Sequence, residues 1–141
     1  MRPIPQSVID FIAAARVCRI ATVRPSGEPH VIPVCPVFDG DRTVFVDLGE
    51  RSLTALALAV ERRVTVLIDE YDDDWTRLRK VLLRCTAEPV TGAEREAAWG
   101  RIRAKFPQYA SVDWKPRLTM ALRIDRWMEE GIVRERPDRA T

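Results

Sequence analysis

Apolar residues at 8, 11, 12 and 15 recur at helical spacing behind Ser7 and Asp10, a capping-box-like pair, so the chain opens on a predicted helix. The run 17–23, VCRIATV, is rich in β-branched residues and predicts a strand. Arg24-Pro25-Ser26-Gly27 supplies turn chemistry, because proline pre-sets φ and glycine accepts a positive one. The run 30–38, HVIPVCPVF, predicts a second strand whose two prolines cannot donate to a ladder, which makes it irregular or places it at a sheet edge. Asp39-Gly40-Asp41 then turns the chain into a third short strand at 43–47. Connections this short predict an antiparallel meander and exclude a βαβ layout.

The Ala- and Leu-rich run 53–60 predicts a short helix, and 64–69, VTVLID, a fourth strand. A polar excursion at 71–75 carries an aromatic residue at each end, and 78–90 predicts a long strand broken near Pro89. Thr91 with Glu94 caps a predicted helix at 93–105, which stops before Pro107. Alternation at 118–127 gives a last strand. Six strands and about three short helices predict a mainly β fold, a closed or nearly closed antiparallel barrel occupying residues 1–131, with a loose C-terminal tail at 132–141.

Composition narrows the function. Lys and Arg number 23 against 21 Asp and Glu, a net charge of +2 that offers no basic field for nucleic acid. No apolar run approaches a membrane span, and the N-terminus lacks the plan of a signal peptide, so a soluble, cytoplasmic protein is expected. The three cysteines, Cys18, Cys35 and Cys85, form no C-x-x-C pair, so core filling is expected rather than disulfides or zinc. A single histidine excludes H-E-x-x-H hydrolases.

Candidate chemistry is sparse. The acidic cluster Asp69, Glu70, Asp72, Asp73, Asp74 lacks the EF-hand pattern and reads as a solvated loop, so no metal site is expected. His30 is a possible acid or base with no nucleophile motif beside it. Gly49-Glu50-Arg51-Ser52 precedes the second helix, where a guanidinium, a hydroxyl and helix N-terminal amides suit a phosphate group; a plain N-cap is the alternative.

Residues 16–41, RVCRIATVRPSGEPHVIPVCPVFDGD, resemble the opening of the pyridoxamine 5′-phosphate oxidase-like split-barrel superfamily. The segments 67–78, LIDEYDDDWTRL, 103–109, RAKFPQY, and 121–127, ALRIDRW, are similar to a branch of deazaflavin (coenzyme F-420)-dependent enzymes, and the resemblance spans about residues 8–128. It implies a split-barrel homodimer holding FMN or coenzyme F-420 at the dimer interface. By the same resemblance Ile32, Pro33, Val34 and Cys35 line the flavin-like ring, with Val46 and Asp47 flanking it. Arg51 and Ser52 stand where relatives hold the phosphate, although relatives commonly place lysine there. Trp75, Arg79 and Lys80 come from the acidic-loop segment and Trp127 from the last strand, across the dimer.

The implied activity is an oxidoreductase moving a hydride to or from an unidentified small molecule. Its catalytic residues are not evident; His30 and Tyr71 are the candidate proton donors. The alternatives are a non-catalytic protein that binds or stores a flavin, deazaflavin or haem, and a barrel that has lost its cofactor.

Overall fold

The computed structural model describes residues 1–113 and 115–133. In chain order the elements are α1 (Gln6–Ala14), β1 (Cys18–Val23), β2 (Pro29–Val34), β3 (Val37–Phe38), β4 (Thr43–Leu48), α2 (Leu53–Val60), β5 (Arg63–Glu70), β6 (Arg79–Pro89), α3 (Gly92–Lys105) and β7 (Leu118–Glu130). All seven strands join one antiparallel sheet in the order β2-β1-β5-β6-β7-β4-β3.

That order corrects the expected meander. β2 and β3 follow each other in the chain, yet they form opposite edges of the sheet. Only Cys35 and Pro36 separate them, so the edges lie within about 11 Å, three extended residue steps. The sheet must therefore curl until its two edges nearly meet. The strand expected at 30–38 is thus two strands, and the count is seven rather than six among the described residues. The physical cause is Pro36, which has no N–H to continue a ladder. The expectation that β2 lies at an edge agrees with the structure.

The curled interior is filled by Ile20, Val44, Val46, Val66, Leu83, Leu122 and their neighbours, with α1 and α2 contributing Phe11, Ile12 and Leu58. β4 is buried on both faces, because α3 covers its outer side with Trp99, Ile102 and Phe106 against Phe45 and Ala121. Lys105, at the end of α3, donates to the carbonyl oxygens of Ala15 and Pro36. That ammonium ties α3 to the end of α1 and to the crossing between the sheet edges.

Local chemistry explains most boundaries. Gly27 takes φ 87° in the β1–β2 turn, where its N–H reaches the Arg24 carbonyl at 2.8 Å. Asp39 Oδ1 accepts from the N–H groups of Asp41, Arg42 and Thr43, fixing the turn into β4. Ser52 caps α2 by accepting from the Ala55 N–H at 3.1 Å. Two expected caps fail. α1 starts one residue before Ser7, with Pro5 at its cap position; Thr91 makes no side-chain cap bond, and Glu94 pairs with Arg123 instead of closing a capping box. Cys18 and Cys85 are buried and their thiols are pushed up to about 12, chiefly by burial; Cys35, expected in the core, is exposed. The tail expected at 132–141 falls largely outside the described residues. No helix among the described residues is long and apolar enough to cross a membrane.

Candidate functional site

On the outer side of β4, Tyr109 of the 3₁₀ turn Pro107–Ala110 packs against the cluster that holds Phe45, and the segment entering β7 hydrogen-bonds Asp47. β4 alternates Val44, Val46 and Leu48 into the barrel with Thr43, Phe45 and Asp47 toward α3. Asp47 therefore puts a carboxylate on an otherwise apolar strand, and its side chain is only 4% exposed. Its Oδ1 accepts from the backbone N–H of Arg117 at 3.1 Å and from Thr119 Oγ1 at 3.3 Å. Thr119, opposite Asp47 in the β4–β7 ladder, also accepts from Trp99 Nε1 at 3.1 Å. Asp47 Oδ2 has no hydrogen-bond partner among the described residues and lies 3.8 Å from Arg117 Nε. Burial raises the Asp47 pKa, and the Arg117 N–H, the Thr119 hydroxyl and the charges of Arg117 and Arg95 oppose that rise.

Arg117 is the cation that the sequence reading did not single out. A Cβ placed on Gly49 would lie 3.4 Å from Arg117 Nη1 and 3.8 Å from the Ser52 Cβ. The guanidinium therefore packs closely over the β4–α2 turn at Gly49. Arg51 lies in the same turn and is exposed. The first turn of α2 holds no acidic residue, and Glu50 stands beside Arg51 in the turn before it. Ser52 Oγ already accepts a hydrogen bond there as the helix cap.

Tyr109 was likewise missed. It is half-buried, edge-on to Trp99 with 5.4 Å between ring centroids, and near enough to Cys35, Asp47 and Arg117 to feel their charges. Burial first, then Cys35 and Asp47, raise its phenol above the ordinary value, so it holds its proton at neutral pH. Lys105 is pushed the other way by burial and by Arg16, and it lies near Cys18 and Cys35. The sequence signal for this neighbourhood was Asp47 itself, a charge within a strand of aliphatic residues.

The other candidate residues divide. Ile32 and Val34 are half-buried against the core, and Pro33 and Cys35 are exposed on alternate positions. The Val46 side chain is spent on the barrel interior. Arg79, paired with Glu70, and Lys80, 3.5 Å from Glu130, stand at the start of β6. Nearby, Trp75 is 69% exposed and its Nε1 donates to the Tyr71 hydroxyl at 3.4 Å. Trp127 is buried; the Arg2 guanidinium covers its ring at 3.9 Å and the Arg2 carbonyl takes its Nε1–H at 3.0 Å. Its indole is therefore occupied by the chain's own N-terminal arm. His30 sits half-buried on β2 opposite Thr22. In the acidic loop Asp72 and Asp74 are used locally, accepting from the N–H groups of Asp74 and Thr76. Among the described residues no cluster of His, Cys, Asp and Glu is placed to hold a metal ion.

A curled antiparallel sheet whose two edges lie close together is the split-barrel arrangement. The chain belongs to the pyridoxamine 5′-phosphate oxidase family, whose model matches residues 5–136. A search of curated proteins finds no match. Among solved structures, the haem-binding protein from Mycobacterium smegmatis superposes with TM-score 0.77 at 20% identity, over 89% of this chain and 53% of that one. The chain thus spans about half the length of that protein. HutZ, the haem storage protein from Vibrio cholerae, gives TM-score 0.77 at 16% identity over 94% and 97% of the two chains. An FAD-binding protein from Mesorhizobium loti gives 0.68 at 18% identity over 86% and 88%. At these identities the likeness is one of fold.

Proposed function

We propose that a flavin-type cofactor, FMN or coenzyme F-420, binds in a cleft between β2 and the end of β4, and that the protein is an oxidoreductase acting on a small molecule. The observation that carries this reading is the close approach of the Arg117 guanidinium to Gly49, in the turn that leads into the N-terminus of α2, in a chain of the pyridoxamine 5′-phosphate oxidase family. A ring that stacks on apolar surface and a phosphate that needs a guanidinium both find their counterparts there. Ile32 and Val34 supply apolar wall, and Arg51 and Arg117 supply charge for the phosphate. Asp47 fixes Arg117 through its backbone N–H and faces its guanidinium. The bound cofactor supplies the hydride chemistry. Tyr109, near Cys35 and Asp47, joins Tyr71 and His30 as a candidate proton donor.

The same reading includes a homodimer. Val31 is 63% exposed and Met128 53% exposed on the outer side of the sheet, apolar surface that a second copy would cover. In that dimer Trp75, Arg79 and Lys80 of one protomer serve the other's cleft. Light scattering at tens of micromolar protein tests it, and a monomer contradicts it.

Titration of the purified protein with FMN and with coenzyme F-420, followed by fluorescence quenching, tests the cofactor. Saturation at micromolar concentration is expected for one of the two. Failure of both overturns the reading. The alternative, a non-catalytic flavin, deazaflavin or haem carrier, draws support from two of the fold neighbours being haem proteins by name. A haem absorption band, or cofactor binding without turnover, favours it.

A further inference from the structure

Asp47 has a second cation besides Arg117. Thr119, opposite Asp47 in the β4–β7 ladder, donates to its Oδ1 at 3.3 Å. Two anchors from one segment close on that threonine. Val90, just before α3, donates its N–H to the Thr119 carbonyl at 3.0 Å, and Trp99 Nε1 donates to the Thr119 hydroxyl at 3.1 Å. Arg95 lies between these anchors, one turn before Trp99 on the same side of α3. Asp47 feels its charge together with that of Arg117.

Asp47 and Arg95 each carry the unmet half of a hydrogen bond. Asp47 Oδ2 is a buried acceptor and Arg95 Nε a buried donor, and neither has a partner among the described residues. Arg117 faces the same Oδ2, but its Nε stays at 3.8 Å, beyond hydrogen-bond length. One oxygen of the carboxylate is thus firmly held, and the other is open to guanidinium groups from two different elements. Leaving either orphan buried and unpaired is unfavourable, and a single Arg95–Asp47 bond removes both.

Charge gives that bond a use. Asp47 and Arg117 together are neutral, so a phosphate drawn to the guanidinium also meets the repulsion of the carboxylate. Adding Arg95 makes the group positive. Tyr109, the other titratable side chain beside Asp47, keeps its proton at neutral pH and adds no charge.

We infer that Arg95 is a positioning residue for Arg117: its guanidinium takes Asp47 Oδ2 when Arg117 turns to a bound phosphate. The phosphate half of this role rests on the cofactor site proposed above, whereas the exchange of partners at Asp47 belongs to the unliganded protein.

Carbon-13 NMR titration of the Asp47 carboxyl in the full chain without cofactor tests the exchange, because Arg117→Gln imitates the departure of Arg117. In that variant the Asp47 midpoint should stay near the wild-type value, since Arg95 takes over. Arg95→Gln should raise it modestly, and the double variant should raise it by more than the two single shifts together. Arg95→Lys combined with Arg117→Gln should bring it back toward the wild type. Arg101→Gln, further along α3, should leave it unchanged, which separates a local partner from a general loss of charge. Thermal melts confirm that each variant folds. Additive shifts, or an unchanged midpoint in the double variant, overturn the exchange. With ligand, Arg95→Gln should weaken FMN severalfold and riboflavin little; equal losses overturn the phosphate half. Failure of the wild type to bind FMN or coenzyme F-420 overturns the cofactor site and that half with it, and the cofactor-free titration still decides whether Arg95 replaces Arg117.

Discussion

The two faces of β4 do different work, although their residues alternate along six positions of one strand. Its inner face, Val44, Val46 and Leu48, packs into the apolar interior of the barrel. The outer face sets Thr43, Phe45 and Asp47 under α3, where Trp99, Thr119, Asp47 and the Arg117 backbone form a continuous hydrogen-bonded chain. An all-aliphatic face gains stability from burial alone and fixes no chemical group in space. The polar face costs desolvation but holds a carboxylate, a guanidinium and a phenol at the edge of the cleft. Folding energy and site geometry are thus separated by one strand's alternation.

The largest effect should come from the inner face. Leu122 lies opposite Val44 and is fully buried, so Leu122→Ala should cost about 2–5 kcal/mol of stability. Denaturant unfolding should show this while cofactor affinity of the folded variant stays unchanged. A changed affinity would dissolve the separation. On the outer face, Thr119→Val leaves the Trp99 N–H without its acceptor and should cost about 1–3 kcal/mol. Unlike the inner variant, it should also weaken cofactor binding, because Asp47 loses one of its two donors.

Asp47→Asn sharpens the contrast through pH. Burial raises the Asp47 pKa, so its contribution to stability is present below the ordinary carboxylate range and is lost as pH rises through the folded value. The amide keeps an acceptor for Arg117 and Thr119 and has no charge to desolvate. The variant should therefore match the wild type near about pH 3 and melt higher than the wild type at neutral pH. A lower melting temperature at neutral pH would mean that the Arg117 ion pair outweighs burial. The smallest effect is expected at the far rim, where Arg123 joins Glu88 and Glu94 in partly exposed ion pairs. Arg123→Gln should change stability by about 1 kcal/mol or less, with a difference that shrinks in high salt.

Local signals in the sequence located elements well. Residues 53–60 and the Ser52 cap follow from composition and one hydroxyl. What it could not show is which strands become neighbours, since an edge-to-edge crossing at Cys35-Pro36 looks locally like any short connection. The same limit hid Arg117, which reaches Asp47 from 70 residues away, and the arm that lays Arg2 on Trp127 from 125 residues away. The failed caps at Ser7 and Thr91 have a related cause, because a side chain that fits a local motif was claimed or displaced by neighbouring geometry. The resemblance carried the fold, while the cation next to Gly49 emerged only in three dimensions.

The central claim is that the cleft between β2 and β4 seats a phosphate-bearing flavin cofactor against Arg51 and Arg117. Its most direct test compares FMN with riboflavin, which lacks the phosphate, on the wild type and on Arg51→Ala and Arg117→Ala. The wild type should bind FMN more tightly than riboflavin. Each variant should lose ten- to hundredfold for FMN, the equivalent of about 1.5–3 kcal/mol, and little for riboflavin. Equal losses for both ligands, or no loss for either, would contradict the assignment.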